Sequence, residues 1–182
     1  GIQDSSSLKQ KLFYWSLKIG KDFTNLSHAK HSIPFLLKIK HSIADKLIYS
    51  KVRQKLGGKI KFFISGGAPL PQKIAEFFSG IGITILEGYG LTETSPVLTS
   101  NTPVNIRFGT VGVKLDNVKL KIADDGEILA KGPNIMLGYY NNQEATNEVF
   151  DEDGWFHTGD IGVIDDDGFL KITDRKKSIL VT

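Results

Sequence analysis

Apolar residues in the first third of the chain recur at helical spacing. They stand three or four residues apart, which places each set on one face of a helix. The sets are Leu8, Leu12, Trp15 and Ile19; Ile39, Ile43 and Leu47; and Ile48, Val52 and Leu56. The pattern predicts helices within residues 5–56, interrupted by a polar connection and ended by the glycines at 57 and 58. Pro34 suits the opening of the helix after that connection.

The pattern changes at Lys61 to short apolar runs separated by glycines. "KFFIS" predicts a strand that leads into "GGAPLP", and the apolar residues after it predict a helix that stops at Gly80. "ITILEGYG" predicts a second strand that runs into glycines. Strand, loop, helix and strand in this order are typical of an α/β sheet, where ligands bind at the carboxyl ends of the strands. Both Gly-rich loops lie at such ends.

Short alternating runs begin near Arg107 and predict antiparallel strands. They include "VKLKIA", "EILAKG", "IGVIDD" and "FLKIT", separated by "ADDGE", "DEDGW" and "DDDGF". Asp-Gly pairs supply the positive φ of tight hairpin turns. Calcium loops are the alternative for the Asp clusters, but the spacing of a calcium-binding loop is absent, so hairpin turns are favoured.

Composition restricts the class of protein. The 182 residues are 40% hydrophobic and contain no cysteine, so a globular core is expected without disulfides, thiolate nucleophiles or cysteine-bound metals. No apolar stretch approaches the roughly 20 residues of a membrane span. A cytoplasmic protein is expected. Because the sequence begins at Gly1 and stops inside "SILVT", we expect it to be a piece of a longer chain.

Charge is uneven along the chain. Residues 1–61 contain thirteen Lys and Arg against three Asp, whereas residues 62–182 contain ten against seventeen acidic residues. A solvated helix surface is the favoured interpretation of the basic part. Peripheral contact with the inner face of the membrane is the alternative, and no nucleic acid partner is expected because aromatic and basic residues are not interleaved as in known motifs. His28, His31 and His41 in this part are expected to be solvated.

The loops "SGGAP" and "EGYGLTE" contain residues suited to a nucleotide. Tyr89 could stack on a base, Thr92 could donate to a phosphate oxygen, and Glu93 could bind Mg²⁺. Alternatively the glycines only make turns, Tyr89 packs in a core, and Glu93 is a surface carboxylate. His157 has no nucleophilic Ser or metal-ligand spacing around it and is expected to shape the loop that presents Asp160.

Five segments resemble, in order, the core motifs of the adenylate-forming superfamily of acyl-CoA synthetases, luciferases and peptide synthetase adenylation domains. They are "FFISGGAPLP", "ILEGYGLTETSP", "GEILAKGPNIMLGYY", "WFHTGD" and "ITDRKKSILVT". The "DRKKSILVT" form and the basic helical stretch most resemble long-chain fatty acyl-CoA synthetases. The resemblance covers about residue 5 to the end.

The resemblance implies a role for each matching residue. Tyr89 is implied to stack on adenine, Asp160 to accept both ribose hydroxyls and Arg175 to contact the ribose. Thr92 is implied to contact the α-phosphate and, with Glu93 as the Mg²⁺ ligand, to form the catalytic pair. The remaining implied nucleotide-binding residues are Gly66, Gly67, Ala68, Pro69, Gly88 and Gly90, and Asp174 is implied to be the hinge to a C-terminal domain.

The implied fold is α/β, with a basic helical segment (1–58), part of a nucleotide-binding sheet (59–105), a small antiparallel, barrel-like β subdomain (106–173) and a hinge (174–182). The implied activity is ATP-dependent ligation of a fatty acid to CoA through an acyl adenylate, with ATP, Mg²⁺ and CoA required. A fatty acyl-AMP ligase, or a synthetase that joins the acyl group to acyl carrier protein, is the alternative enzyme. A noncatalytic membrane- or polyanion-binding module is the alternative of another class.

The family's phosphate-gripping loop and its C-terminal lysine do not occur in the 182 residues. We expect them upstream and downstream, and we expect the isolated chain to have negligible synthetase activity.

Overall fold

The computed structural model describes residues 6–28 and 31–176. The helices are α1 (Ser7–His28), α2 (Phe35–Ala44), α3 (Ser50–Lys55), α4 (Gln72–Gly80) and α5 (Gln143–Val149), with a π-helical turn at Asp45–Tyr49. The strands are β1 (Phe62–Ser65), β2 (Thr84–Tyr89), β3 (Thr99–Ser100), β4 (Val113–Lys114), β5 (Lys119–Ile122), β6 (Glu127–Lys131), β7 (Phe156–Ile164) and β8 (Leu170–Arg175).

The chain forms two compact units. The helical unit comprises Gly1–Ile64 and Leu70–Ile85, and the sheet unit comprises Ser65–Pro69 and Leu86–Thr182. The four-part division at residues 58, 105 and 173 stays a prediction. None of the helices in residues 6–28 and 31–176 is long and apolar enough to cross a membrane.

The predicted helices of the helical unit are present, and the glycines end them as expected. Gly57 N–H donates to the carbonyl of Gln54 and Gly58 N–H to that of Arg53, both over 2.9 Å. With both glycines at positive φ, this is a Schellman C-cap. Glycine suits these positions because it has no Cβ that would be strained at positive φ.

The core of the helical unit is formed by Ile19, Ala44, Tyr49, Ile81 and Ile83, against which Trp15 and other partly buried apolar residues pack. Within the unit the apolar faces are only partly covered, since Leu8 remains 77% exposed and Ile43 45%. The Tyr49 hydroxyl donates to the Ser16 carbonyl. Burial raises the pKa of Tyr49 to about 12, so the phenol stays protonated as a donor.

The expectation that His41 is solvated is wrong. Its ring stacks on Phe23 at a centroid distance of 4.0 Å and lies against Tyr49 at 5.5 Å. His31 is exposed as expected, and the side chain of His28 lies outside the described part of the chain. The sequence alone does not reveal this packing, because the phenyl ring comes from α1 and the imidazole from α2.

The strand, helix and strand predicted between Lys61 and Gly90 correspond to β1, α4 and β2. β1 and β2 belong to a four-stranded sheet of order β1-β2-β3-β4. In the sheet unit, β2 pairs antiparallel with β3, and β3 pairs antiparallel with β4. The Gly-rich segments that begin with Gly66 and Gly88 therefore belong to the ends of β1 and β2, as the pattern predicted.

The predicted antiparallel sheet is confirmed as a second four-stranded sheet of order β5-β6-β7-β8. Gly126, Gly154 and Gly168, which follow the Asp residues, have φ of +86°, +74° and +84°. Each of their N–H groups donates to the carbonyl three residues earlier, which closes a tight turn. The Asp clusters therefore make turns, as favoured by the sequence.

The core of the sheet unit is a cluster of six buried residues from its strands and the loops next to them. Its buried members are Tyr89, Leu98, Val118, Ile128, Ala130 and Leu170. Tyr89 is the polar-tipped member of this group, and a buried tyrosine needs a partner for its hydroxyl. That requirement leads to the candidate site.

Candidate nucleotide site

The Tyr89 hydroxyl donates a 2.7 Å hydrogen bond to Oδ2 of Asp160. Tyr89 is 8% exposed and Asp160 5%. Burial raises the pKa of the Tyr89 phenol above its usual range; the Thr158 hydroxyl lowers this pKa in part, and the neighbouring Asp160 carboxylate raises it. The phenol is therefore a protonated donor. The structure brings together the two residues on which the adenosine hypothesis depends.

Two strands position this pair. Tyr89 is the last residue of β2, where it pairs with Thr99 of β3. Asp160 lies within β7, and its backbone N–H donates to the Thr158 hydroxyl over 3.2 Å. That hydroxyl in turn donates to the carbonyl of Ile128 over 2.7 Å. The Asp160 backbone is thus linked through a buried threonine to the neighbouring strand β6.

Arg175 forms an ion pair with the second carboxylate oxygen of Asp160. Its Nε lies 3.1 Å from Oδ1 of Asp160, and the two residues are paired across β7 and β8. The Arg175 side chain is 73% exposed. An ionised carboxylate offers about four lone pairs, so one donor on each oxygen leaves capacity for two further hydroxyl donors.

The Tyr89 ring also belongs to the apolar core, as the structural alternative predicted. Core packing and contact with a ligand are compatible, because a ring has two faces and an edge. The base-stacking role of Tyr89 stays a prediction.

The loop after Tyr89 is held in shape by its own residues. A Cβ on Gly90 would lie 1.7 Å from the carbonyl oxygen of Pro96, so only glycine fits there. Thr94 is fully buried, and its hydroxyl accepts from Leu91 N–H over 2.9 Å and donates to the Pro96 carbonyl over 2.7 Å. Asn134 Nδ2 donates to the carbonyl of Thr94 over 2.7 Å. Gly90 is therefore required by the loop itself.

The loop Gly66, Gly67, Ala68 and Pro69 is exposed. Gly67 has a φ of +78° with nothing within 4 Å of an added Cβ, so backbone conformation alone favours glycine there. At Gly66 an added Cβ would make an ordinary 3.6 Å contact with the carbonyl oxygen of Gly88. The two Gly-rich loops thus lie side by side in the sheet unit.

Thr92 and Glu93 belong to the 3₁₀ turn Thr92–Thr94, which begins three residues after Tyr89. Thr92 is exposed and Glu93 half-buried. The Tyr139 hydroxyl donates to Oε1 of Glu93 over 3.0 Å. Burial raises the pKa of Tyr139, and the hydrogen bond to Glu93 raises it further. The carboxylate is therefore oriented, and it retains lone pairs for a cation.

A single carboxylate is enough for a Mg²⁺ ion that is bound together with a nucleotide, since Mg²⁺ is commonly bound by one or two carboxylates and by the substrate phosphates. Within residues 6–28 and 31–176 no group of three or more His, Cys, Asp and Glu side chains could hold a metal ion by itself. Glu93 would therefore act together with phosphate oxygens. Its role as the Mg²⁺ ligand stays a prediction.

Asp174, the hinge candidate, is an exposed residue of β8 that pairs with Ile161. Its Oδ1 accepts from the Arg175 N–H over 2.7 Å. Residues 177–182 of the predicted hinge segment lie outside the described part of the chain. The hinge role stays a prediction.

Sequence reasoning missed a buried carboxylate beside this pair. Glu127 is 3% exposed and interacts with His157, Lys176 and the Gly159 backbone. The available signal was an acidic residue that directly opens the apolar run "ILA" of a predicted strand. His157 contacts Glu127 and stands two residues before Gly159, which agrees with the expectation that it shapes the segment presenting Asp160.

Comparison with known proteins identifies relatives. The model of a family described as AMP-binding enzyme matches residues 26–140. A long-chain-fatty-acid–CoA ligase, FadD15 of Mycobacterium bovis, is 49% identical over 147 residues, which cover 81% of this chain and 24% of that protein. A putative fatty-acid–CoA ligase, fadD11 of Mycobacterium tuberculosis, is 39% identical over 180 residues, which cover 98% and 32%. The chain thus spans about a quarter to a third of the length of these relatives.

Among solved structures, the O-succinylbenzoate CoA synthetase MenE of Bacillus subtilis, in complex with ATP and a magnesium ion, matches with a TM-score of 0.60 and 29% identity. The match covers 72% of this chain and 31% of that one. This match confirms the α/β fold class predicted from the sequence.

Proposed function

Because this chain belongs to the AMP-binding enzyme family, we propose that it is a segment of an ATP-dependent fatty acid–CoA ligase in which Tyr89 and Asp160 hold the adenosine of the nucleotide. The observation that carries the proposal is the 2.7 Å hydrogen bond between these two side chains. It joins an aromatic ring and a carboxylate, the two groups that recognise a base and a ribose. The fatty-acid and CoA specificity rests on the similarity to the named ligases.

The geometry at Asp160 supports a contact with the ribose. Both carboxylate oxygens are already held by protein donors, Tyr89 on Oδ2 and Arg175 on Oδ1. Their remaining lone pairs accept the 2′- and 3′-hydroxyl groups in the proposed complex. Since the Arg175 side chain is exposed, it can move aside or bind the ribose oxygens itself. Tyr89 presents its ring to the base.

Thr92 and Glu93 lie three and four residues after Tyr89 and serve the phosphates in the proposed complex. The exposed Thr92 hydroxyl donates to an α-phosphate oxygen. Glu93, oriented by Tyr139, binds Mg²⁺ together with the phosphates. When bound, Mg²⁺ offsets negative charge on the phosphate oxygens as the leaving group departs.

The proposed chemistry needs alignment more than proton transfer. The fatty acid carboxylate is ionised at neutral pH and attacks the α-phosphorus of ATP, forming the acyl–phosphate bond while the bond to pyrophosphate breaks. The CoA thiolate then attacks the acyl carbonyl, which forms the thioester and releases AMP. The residues at Asp160 and Thr92 hold the nucleotide so that the carboxylate meets the phosphorus in line. Because the nucleophile is already ionised, the first step needs no general base.

Assay of the full-length protein with ATP, Mg²⁺, CoA and saturated fatty acids of graded length tests the proposal. Formation of acyl-CoA with release of AMP supports the CoA ligase. Accumulation of acyl adenylate in the presence of CoA would instead support a fatty acyl-AMP ligase. Absence of AMP binding, together with polyanion binding that disappears in moderate salt, would favour a noncatalytic module.

A cytoplasmic location and peripheral contact with the membrane through the basic helical segment remain predictions. The membrane contact is supported by the thirteen Lys and Arg residues against three Asp in residues 1–61.

A further inference from the structure

Glu127 is a buried carboxylate with three donors. Its Oε1 accepts from the Gly159 N–H over 2.9 Å. Its Oε2 lies 2.9 Å from Nδ1 of His157 and 2.7 Å from Nζ of Lys176. The Glu127 side chain is 4% exposed. A buried carboxylate is costly to desolvate unless donors compensate, and here three do.

The donors stand next to the residues proposed to hold the ribose. Gly159 directly precedes Asp160 in β7, and Lys176 directly follows Arg175 at the end of β8. Glu127 itself belongs to β6, the neighbour of β7. One carboxylate therefore connects three successive strands at the level of the Asp160–Arg175 pair.

The ladder pairs Asp160 with Arg175 on the β8 side but does not hold it on the β6 side. Glu127 pairs with Ile161 and Leu129 with His157, so three residues of β7 oppose a single residue of β6 in between. Residues 158–160 are thus bulged out of the regular register, with Gly159 at a φ of +73°. In a regular ladder a backbone carbonyl would accept from the Gly159 N–H. In this bulge the Glu127 side chain accepts from it instead.

The charge of the cluster agrees with this geometry. Burial raises the pKa of Glu127, but the hydrogen bonds from Lys176, His157 and Gly159 outweigh burial, and the net pKa is lowered. The carboxylates of Asp125 and Glu127 raise the pKa of Lys176. At neutral pH the cluster therefore contains an ionised Glu127 and a charged Lys176.

We propose that Glu127 is a positioning residue for nucleotide binding, which holds Asp160 through the Gly159 backbone and Arg175 through Lys176 in the geometry that accepts the two ribose hydroxyls. The inference rests on the proposed function. It assigns no chemical step to Glu127, which acts only through the residues that it holds.

A comparison of two nucleotides isolates this effect. AMP and 2′,3′-dideoxy-AMP differ only in the two ribose hydroxyls, so the ratio of their Kd values measures the contribution of the Asp160 contacts. In the full-length protein the ratio is expected to be about tenfold or more, since the hydroxyls donate to a charged acceptor. Glu127→Gln keeps the size of the side chain but removes its charge, and it is expected to lower the ratio to about twofold.

Three variants complete the test by calorimetry. Lys176→Met keeps the aliphatic part of the side chain and removes the ammonium group, and it is expected to lower the ratio as well, whereas Lys176→Arg restores it. Asp124→Asn is the control. Asp124 is an exposed carboxylate three residues before Glu127, so its variant is expected to keep the wild-type ratio.

Each outcome is informative. A merely structural role of Glu127 would weaken both nucleotides equally and leave the ratio unchanged, which would overturn the inference while the proposed function stands. A wild-type ratio near one, or no AMP binding, would contradict the proposed ribose site and with it this inference. If Glu127→Gln does not fold, the Lys176→Met and Lys176→Arg pair decides by the same ratio.

Discussion

The phenol of Tyr89 and the carboxylate of Asp160, 71 residues apart in sequence, form a 2.7 Å hydrogen bond inside the sheet unit. The two side chains are nearly excluded from solvent, so this bond is expected to contribute to stability as well as to ligand binding. A separate experiment can measure each contribution.

Tyr89→Phe tests the contribution of this hydrogen bond to folding. The variant keeps the ring in the core but removes a donor from a buried carboxylate, which is expected to lower the free energy of unfolding by about 1–3 kcal/mol. Urea unfolding followed by circular dichroism measures the change. Tyr140→Phe is the control, because Tyr140 is 93% exposed and loss of its hydroxyl is expected to change little. Equal stability of the two variants would show that the hydrogen bond adds no net stability.

Gly90→Ala tests why the loop after Tyr89 contains glycine. The new Cβ would meet the Pro96 carbonyl oxygen at 1.7 Å, so the loop must open, at an expected loss of about 3 kcal/mol or more in unfolding free energy. Gly66→Ala is the matched comparison, because its Cβ would make only an ordinary contact at 3.6 Å. A melting temperature of Gly90→Ala equal to that of Gly66→Ala would contradict the packing described for this loop.

Acid titration tests the ionised state of Glu127. Its folded-state pKa is lowered from 4.5, so the stability it contributes is fully present above pH 4.5 and is lost as the pH falls through the folded-state pKa. At pH 7 Glu127→Gln is expected to be less stable than the wild type by about 2 kcal/mol. The difference is expected to shrink as the pH is lowered below 4.5. A difference that stays constant with pH would mean that Glu127 is not ionised in the folded chain.

ATP–pyrophosphate exchange with the isolated 182 residues is expected to be negligible. The residues that would grip the β- and γ-phosphates and the C-terminal lysine of the family do not occur among them. The full-length protein is the positive control in the same assay. Robust exchange by the 182 residues alone would show that these elements are not required for the adenylation step.

Local patterns predicted most of the elements because those elements depend on nearby residues. The helical spacing before Gly57 and the Asp-Gly turn at Gly126 are set by local packing and backbone preference, and the structure contains both. The motif that contains Tyr89 also indicated which family the chain belongs to. What the sequence did not reveal depends on distant partners.

Glu127 and Tyr139 illustrate that limit. Their partners, Lys176 and Glu93, lie 49 and 46 residues away in sequence, and strand register and loop path bring them together. The same holds for His41, whose stacking partner Phe23 comes from another helix. A pattern of apolar and polar positions predicts which face of a helix or strand a residue lies on. It does not predict which side chain of another element contacts that residue.

Calorimetric titration of the full-length protein with AMP tests the proposed adenosine site most directly. Asp160→Ala and Tyr89→Ala are each expected to weaken AMP binding by tenfold or more, since one removes the ribose acceptor and the other the ring. Asp116→Ala, which removes an exposed carboxylate of the same unit, is the control and is expected to leave the Kd unchanged. Wild-type affinity in folded Asp160→Ala and Tyr89→Ala variants would contradict the assignment of these two side chains to the adenosine.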